Sequence, residues 1–423
     1  PITVLSTWHA VERNTKGFMA LLLLLETGML GAFISLDLFL FYIFWELMLI
    51  PMYFLIGIWG GKNRIYAAIK FFLFTALGSL LMLVAIIYVY YFSVQAGVPF
   101  ENGFSIAHFA QLDIPAHLQA WLFAAFAFSF AIKVPMFPVH TWLPDAHTEA
   151  PTAGSVILAA ILLKMGTYGY VRFAIPLFPV ATMQFTPFLA LLAVIGIIYG
   201  ALVAMMQDDV KKLVAYSSVS HLGFVMLGIF AMNLQGMSGG MLQMINHGIS
   251  TGALFLIVGF IYERRHTRLI ADFGGLSKVM PVFATIFMIV TFSSVGLPGT
   301  NGFVGEFLIL VGAFESELRV FTVFATTGVI LAAVYMLWMF QRVMMGKVTN
   351  PKNEELKDLS AREVIIMLPL ILFIFWIGFY PNTFLEKMNP SIENLITQVK
   401  EKQQVAMMAE NLDQSVTTVI VNE

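Results

Sequence analysis

Apolar residues run along this chain in stretches of about the length that crosses a bilayer, and short polar turns separate them. A helix rising 1.5 Å per residue needs about 20 residues to cross roughly 30 Å of hydrocarbon. On that measure the pattern predicts eleven membrane-spanning helices, over 18–35, 37–59, 66–92, 119–148, 154–174, 187–206, 213–231, 241–262, 279–313, 320–341 and 364–380. Two of these are too long for one span and are interrupted. The fourth carries VPMFPVHTWLP, with Pro135, Pro138 and Pro144, and the ninth carries SSVGLPGTNG around Pro298. Proline removes a backbone donor and glycine loosens the chain, so both are predicted to be broken helices. Lipid tolerates such a break only where protein or a wet cavity covers it.

Each break falls in the fourth span of a run of five. Residues 18–174 and 187–341 therefore read as two five-helix repeats, the second inverted because five is odd. Discontinuous helices at corresponding places are how transporter folds mark their working site. The expected organisation is an N-terminal segment 1–17, the two repeats, a C-terminal span 364–380 and a tail 381–423, giving an all-α polytopic membrane protein.

Composition agrees. The chain is 59% hydrophobic and 11% charged over 423 residues, with a mean hydropathy of +0.85, too little polar surface for a soluble fold of this length. It has no cysteine, which excludes disulfides and thiolate-held iron–sulfur or zinc sites. Nothing points to nucleic acid. Gly60-Gly61-Lys62 is followed by Asn63, and Ile56 stands where a P-loop needs glycine, so no nucleotide site is read here.

Charge sets the orientation. If the N-terminal end lies on side A, side B receives only Arg172, Arg319, Lys387, Lys400 and Lys402. Lys133 and Lys164 fall within spans, and the other sixteen of the 23 lysines and arginines fall on side A. The excess makes side A the cytoplasm or its equivalent.

The charges inside spans carry the chemistry. Glu26, Glu46, Lys133, Lys164 and Glu306 lie deep in apolar runs, with His221 and His247 as further titratable groups. A charge at mid-membrane costs about 2.5–3.5 kcal/mol on insertion scales, so each requires a partner or water. Glu46 with Lys133, an acid and a base of the first repeat, is the simplest pairing. Any one of these residues taken alone also fits a structural ion pair between helices. Five at mid-depth beside two breaks favour a functional role. Glu26, in LLLLLETGMLGAF, has no evident partner and reads as structural. The two histidines sit beside small polar residues, which suits a helix-packing imidazole as well as a proton carrier. His140 and His147, in HTWLPDAH, lack a metal-ligand pattern; Asp145 and His147 read as half-helix capping or access-path residues.

The stretches FWELMLIPMYFLIG, AIKVPMFPVHTWLPDAHTEAPTAGSVILAAILLKMGTYG, DVKKLVAYSSVSHLGF and GLPGTNGFVGEF resemble the antiporter-like membrane subunits of respiratory complex I, most closely the M type, and are related to Mrp cation/proton antiporter subunits. The resemblance runs nearly end to end. That family has fourteen spans, so it implies three further spans before Pro1, where the chain starts without methionine. It also implies that Glu46 pairs with Lys133, that Lys164 connects to the far half, and that Glu306 is the terminal residue of the relay. Related subunits carry lysine at that last position, whereas the M type carries glutamate.

The resemblance implies a proton-translocating subunit of NADH:quinone oxidoreductase in an energy-transducing membrane, such as the bacterial plasma membrane. NADH, FMN, iron–sulfur clusters and quinone are expected in partner subunits and no cofactor in this chain. The implied partners are the L-type and N-type antiporter-like subunits and membrane lipid. A subunit of an Mrp-type cation/proton antiporter is the alternative, and a passive membrane scaffold a further one that would need none of the buried charges.

Overall fold

A computed structural model describes the backbone of residues 1–8, 10–99, 102–109 and 112–421, and side chains as far as 405 together with 408. The described chain is helical, apart from loops and two isolated backbone bridges, and no β-strand is present among the described residues. After a short turn of helix, Ile2–Ser6, the elements are α1 (Thr15–Ile34), α2 (Leu38–Trp59), α3 (Arg64–Gln95), α4 (Ala116–Lys133), α5 (Trp142–Glu149), α6 (Thr152–Leu177) and α7 (Pro179–Met205). They continue as α8 (Val210–Phe230), α9 (Leu234–Arg265), α10 (Pro281–Val295), α11 (Asn301–Phe314), α12 (Arg319–Met344), α13 (Ala361–Phe379) and α14 (Asn382–Val421).

Ten of these helices are long and apolar enough to cross a membrane. The remaining predicted span is the pair α10 and α11, of 15 and 14 residues. At 1.5 Å per residue neither half crosses roughly 30 Å alone. Both predicted breaks are present, the first over residues 134–141 and the second over 296–300. Each helix end finds partners for the carbonyls it leaves open. At the first break the Trp142 indole donates to the Ile132 carbonyl at 2.8 Å and the Met136 amide to Ala131 at 2.9 Å. At the second, Gly296 takes φ +80° and Leu297 N–H reaches back to the Phe292 carbonyl at 3.0 Å. This is a left-handed C-cap of the Schellman kind, which glycine adopts without strain.

Alternation of the helices is visible in which loops touch. The Gly61 amide donates to Glu149 O, Val210 to Arg268 O and Gly275 to Met345 O, all between side A segments. On side B, Leu38 N–H meets Phe104 O, Asn233 Nδ2 donates to Gly312 O, and Gln403 Nε2 donates to Pro179 O. At the centre, α8 and α9 are enclosed nearly all round, while α12 and α13 leave most of their surface outward. Leu23, Leu30, Val84, Ile330 and Ile365 are among the outward apolar residues, as lipid contact requires.

Three boundaries differ from the sequence reading. The sixth span begins at Pro179 rather than 187 and the eighth at Leu234 rather than 241. A hydropathy window discounts Gln184 and Thr186, or Gln235 and Ser238, although helix continues through them. The segment 381–423 is a long helix as far as Val421, with Pro390 inside it; its last two residues lie outside those described. Ile392 and Ile396 pack on Met237 of α9, and Ser238 Oγ donates to Asn389 Oδ1 at 2.8 Å.

Candidate functional site

Glu306 lies one and a half turns into α11 and is 4% exposed. Its Oε1 meets His221 Nδ1 from α8 at 2.8 Å and receives an N–H from Gln243 of α9 at 3.0 Å. The far nitrogen of His221 faces Ser294 Oγ and the Tyr335 hydroxyl, each at 3.4 Å. Five helices thus converge on one ionisable pair. The close approach of α11 is made by glycine: a Cβ on Gly302 would stand 2.1 Å from Ser293 O, and one on Gly305 would stand 2.2 Å from Gln243 Oε1.

The break beside Glu306 is knitted to α9 by amides and hydroxyls. Asn246 Nδ2 donates to Asn301 O at 2.7 Å and to Gln243 Oε1 at 3.2 Å. Ser293 Oγ donates to Asn301 Oδ1 at 2.5 Å, and the Ser250 and Ser293 hydroxyls are 2.6 Å apart. Along this seam runs a cavity of about 10 Å³, bordered by His221, Asn246, His247, Ser250 and Ser294. That is about the room one water needs.

Lys164, in α6, follows a π-helical turn over Leu158–Leu162, a widening of the backbone that recurs at functional positions. Its Nζ donates to Ala159 O and faces His247 Nδ1, both at 2.5 Å. The rings of His247 and His221 lie edge to face with centroids 5.9 Å apart. The series Lys164, His247, His221, Glu306 is therefore continuous across the buried midline, joined by two direct contacts and one ring-to-ring step.

The first repeat is arranged differently from expectation. Lys133 is 1% exposed at the end of α4, with its Nζ 5.1 Å from the Trp45 ring centroid and 5.8 Å from that of Phe71. Glu46 is half-buried. Neither Lys133 Nζ nor Glu46 Oε1 has a hydrogen-bond partner, and the expected ion pair is not closed. Trp45 supplies the reason: its ring offers the ammonium a π face, one residue along the chain from the carboxylate. No side-chain hydrogen bond links Lys133 to Lys164, although Gly166 brings α6 against the Val134 amide and the Phe130 carbonyl.

Among the other residues singled out, Asp145 is no cap. It forms an ion pair with Lys70 of α3 at 2.7 Å, and Thr141 holds the N-cap position of α5. His147 is fully buried and stacked on Phe255 at 4.5 Å, and His140 packs against Phe137 and Tyr199. Glu26 is exposed on the outer face of α1. Gln243, Asn246, Ser250 and Asn301 were not singled out. The first three, with His247, fall at i, i+3, i+4 and i+7 on α9, a polar stripe within an apolar span that does mark the site. Among the described residues no group of three His, Asp or Glu side chains is arranged to hold a metal ion.

Broken helices flanking a buried file of bases and acids define a class, the ion-translocating polytopic membrane proteins. The family model described as NADH:quinone oxidoreductase/Mrp antiporter, TM, matches residues 35–332, and the chain belongs to that family. It is 50% identical over 404 residues to NADH-quinone oxidoreductase subunit M of Rhodobacter capsulatus, covering 94% of this chain and 78% of that protein. A chain of respiratory complex I from Thermus thermophilus with bound NADH superposes with a TM-score of 0.84 at 35% identity, over 90% of this chain and 79% of that one. A chain of the Mrp complex from Dietzia shares the fold, with a TM-score of 0.79 at 22% identity, over 91% and 79%.

Proposed function

We propose that this chain is the membrane subunit through which an NADH:quinone oxidoreductase moves protons, using the buried residues as a relay and redox chemistry in other subunits as the drive. The observation that carries the reading is the continuous file Lys164, His247, His221 and Glu306 beside the second helix break. Glu46 and Lys133 form the input pair. A buried amine holds its proton less firmly than an exposed one, and a nearby carboxylate restores the hold. Movement of Glu46 toward or away from Lys133 therefore loads or unloads the lysine. The aromatic seat on Trp45 is where the ammonium rests while the pair is open. The proton passes on to Lys164 where Gly166 brings α6 against the end of α4.

The two runs of five helices, 18–174 and 187–341, act as inverted repeats, with side A facing the cytoplasm and Glu306 serving side B. The L-type and N-type antiporter-like subunits are the neighbours in the membrane arm. FMN, iron–sulfur clusters and the NADH and quinone sites belong to partner subunits. Affinity purification of the complex through this chain from native membranes tests the reading. Companions bearing flavin and iron–sulfur clusters, with NADH oxidation that acidifies one side of a vesicle, are expected. Recovery with antiporter subunits alone, without flavin, overturns it in favour of an Mrp-type antiporter.

A further inference from the structure

Gln243 shares an oxygen with His221. Gln243 donates to Glu306 Oε1 at 3.0 Å and His221 Nδ1 faces the same oxygen at 2.8 Å; an ionised carboxylate only accepts, so against it both nitrogens present an N–H. The other oxygen faces elsewhere: Oε2 lies 3.5 Å from where a Cβ on Gly296 would stand, at the left-handed cap of the break. The amide of Gln243 cannot be reversed. Its Oε1 accepts from Asn246 Nδ2, and that same NH₂ group donates to Asn301 O. Turning the Gln243 amide round would set an NH₂ against an NH₂ and a carbonyl against a carboxylate. Gly305 leaves the space this arrangement occupies, since a Cβ there would meet Gln243 Oε1 at 2.2 Å and Asn246 Nδ2 at 2.8 Å. Gln243 and Asn246 are themselves 3% and 1% exposed.

We propose that Gln243 is a positioning residue of the relay, holding Glu306 Oε1 against His221 and leaving Oε2, which faces Gly296, as the oxygen that holds and releases the proton. This rests on the relay reading of the proposed function. Two donors on Oε1 leave no room for a hydrogen there, so the acid form carries its hydrogen on Oε2. Release breaks that O–H bond as His221 passes its Nδ1 hydrogen to Oε1, so that one proton enters the carboxyl group as another leaves it into the break, the electron pair of the Oε2–H bond staying on the carboxyl group. The other titratable side chains facing Glu306 are His221 of α8 and Tyr335 of α12, with His247 and Lys164 beyond His221.

The test uses the purified complex, containing this chain in full, in sealed vesicles with a pH-sensitive dye. Gln243→Met keeps the volume and removes the donor. Proton translocation is expected to fall about tenfold, the equivalent of about 1.4 kcal/mol, with assembly normal. Gln243→Glu can donate only when protonated, so its pumping should recover as pH is lowered, relative to wild type, while that of Gln243→Met should not. Gln243→Met pumping at the wild-type level across the pH range overturns the assignment, as does Gln243→Glu showing no pH-dependent recovery. Glu306→Gln in the same vesicles separates the two readings. If it loses pumping while Gln243→Met keeps it, the relay stands and the role of Gln243 falls; if Glu306→Gln pumps normally, the relay itself fails.

Discussion

Lys164 Nζ and His247 Nδ1 stand 2.5 Å apart, with no carboxylate bonded to either. At that separation only one hydrogen fits between the two nitrogens. Lysine donates to a bare Nδ1, or a neutral amine accepts from Nδ1–H. The two side chains thus share a proton and behave as one coupled group rather than two.

His247→Leu should therefore impair pumping as severely as Lys164→Met, and the double variant should be no worse than either alone. Proton translocation in vesicles, measured for the two single variants and the double, checks this. Independent, multiplying losses would show that the two residues act separately.

The seam between α9 and α11 predicts a stability effect. Gly302→Ala would place a methyl 2.1 Å from the Ser293 carbonyl of α10 and so must push α11 away from α10 and α9, breaking the contacts that Asn301 makes with Ser293 and Ser250. Overpacking of this kind costs about 1–3 kcal/mol. The variant complex should lose this subunit at a lower temperature or detergent concentration than wild type, as read by thermal-shift or native-gel assembly. Gly346→Ala, at a loop glycine where nothing lies within 4 Å but φ is +91°, is a control for strain without crowding and should leave the α9–α11 seam intact.

Spans and breaks were legible because they depend on local properties. Twenty apolar residues and a Pro- or Gly-rich interruption require no knowledge of neighbours, and both breaks fall where VPMFPVHTWLP and SSVGLPGTNG place them. The site was only partly legible. Charged residues drew attention to Lys164 and Glu306, while Gln243, Asn246 and Ser250, neutral residues on the stripe that also carries His247, went unread despite their helical spacing. Asn301 could not have been read at all. Its contacts exist because Gly302 lets α11 close on the Ser293 carbonyl of α10 and Gly305 lets it close on the Gln243 and Asn246 side chains of α9, a tertiary event. Pairing by charge alone also misled: Lys133 turned to Trp45, since a buried cation takes whichever partner its helix packing presents, whereas Asp145, read as a cap or access-path residue, pairs with Lys70.

Lys133→Met should abolish or strongly reduce proton translocation, because a thioether fills the space without carrying a proton. Trp45→Leu removes a cation–π contact worth about 0.5–2 kcal/mol and frees the ammonium to move toward Glu46. A milder loss is expected, with assembly retained. Pumping by Lys133→Met at the wild-type rate in a fully assembled complex would remove this lysine from the relay.

Glu46 is predicted to act by its charge. Glu46→Gln keeps the shape and removes the charge that attracts the Lys133 ammonium, so pumping should fall as in Lys133→Met. Glu46→Asp retains the charge on a stem one methylene shorter and should keep partial activity. NADH oxidation and proton uptake measured together distinguish the two. Equal activity of the Gln and wild-type complexes would mean that the open Glu46–Lys133 geometry is the only one the protein uses.

Glu306 carries the strongest expectation, because its carboxylate touches the histidine file and faces the helix break. Glu306→Gln keeps two polar atoms for His221 and Gln243 but cannot take up a proton, so translocation should fall by tenfold or more while assembly is normal. That figure corresponds to about 1.4 kcal/mol or more of lost coupling. Glu306→Lys restores a titratable group at the same place. It must stand beside His221 without an anion to balance it, but the cavity lined by Asn246, Ser250 and Ser294 offers oxygens to an ammonium. The lysine variant should consequently pump more than the glutamine variant and less than wild type. Dye quenching in vesicles driven by NADH ranks the three. A glutamine variant that matches or exceeds the lysine variant would show that the carboxylate holds helices together rather than passing protons, since hydrogen bonding alone would then suffice.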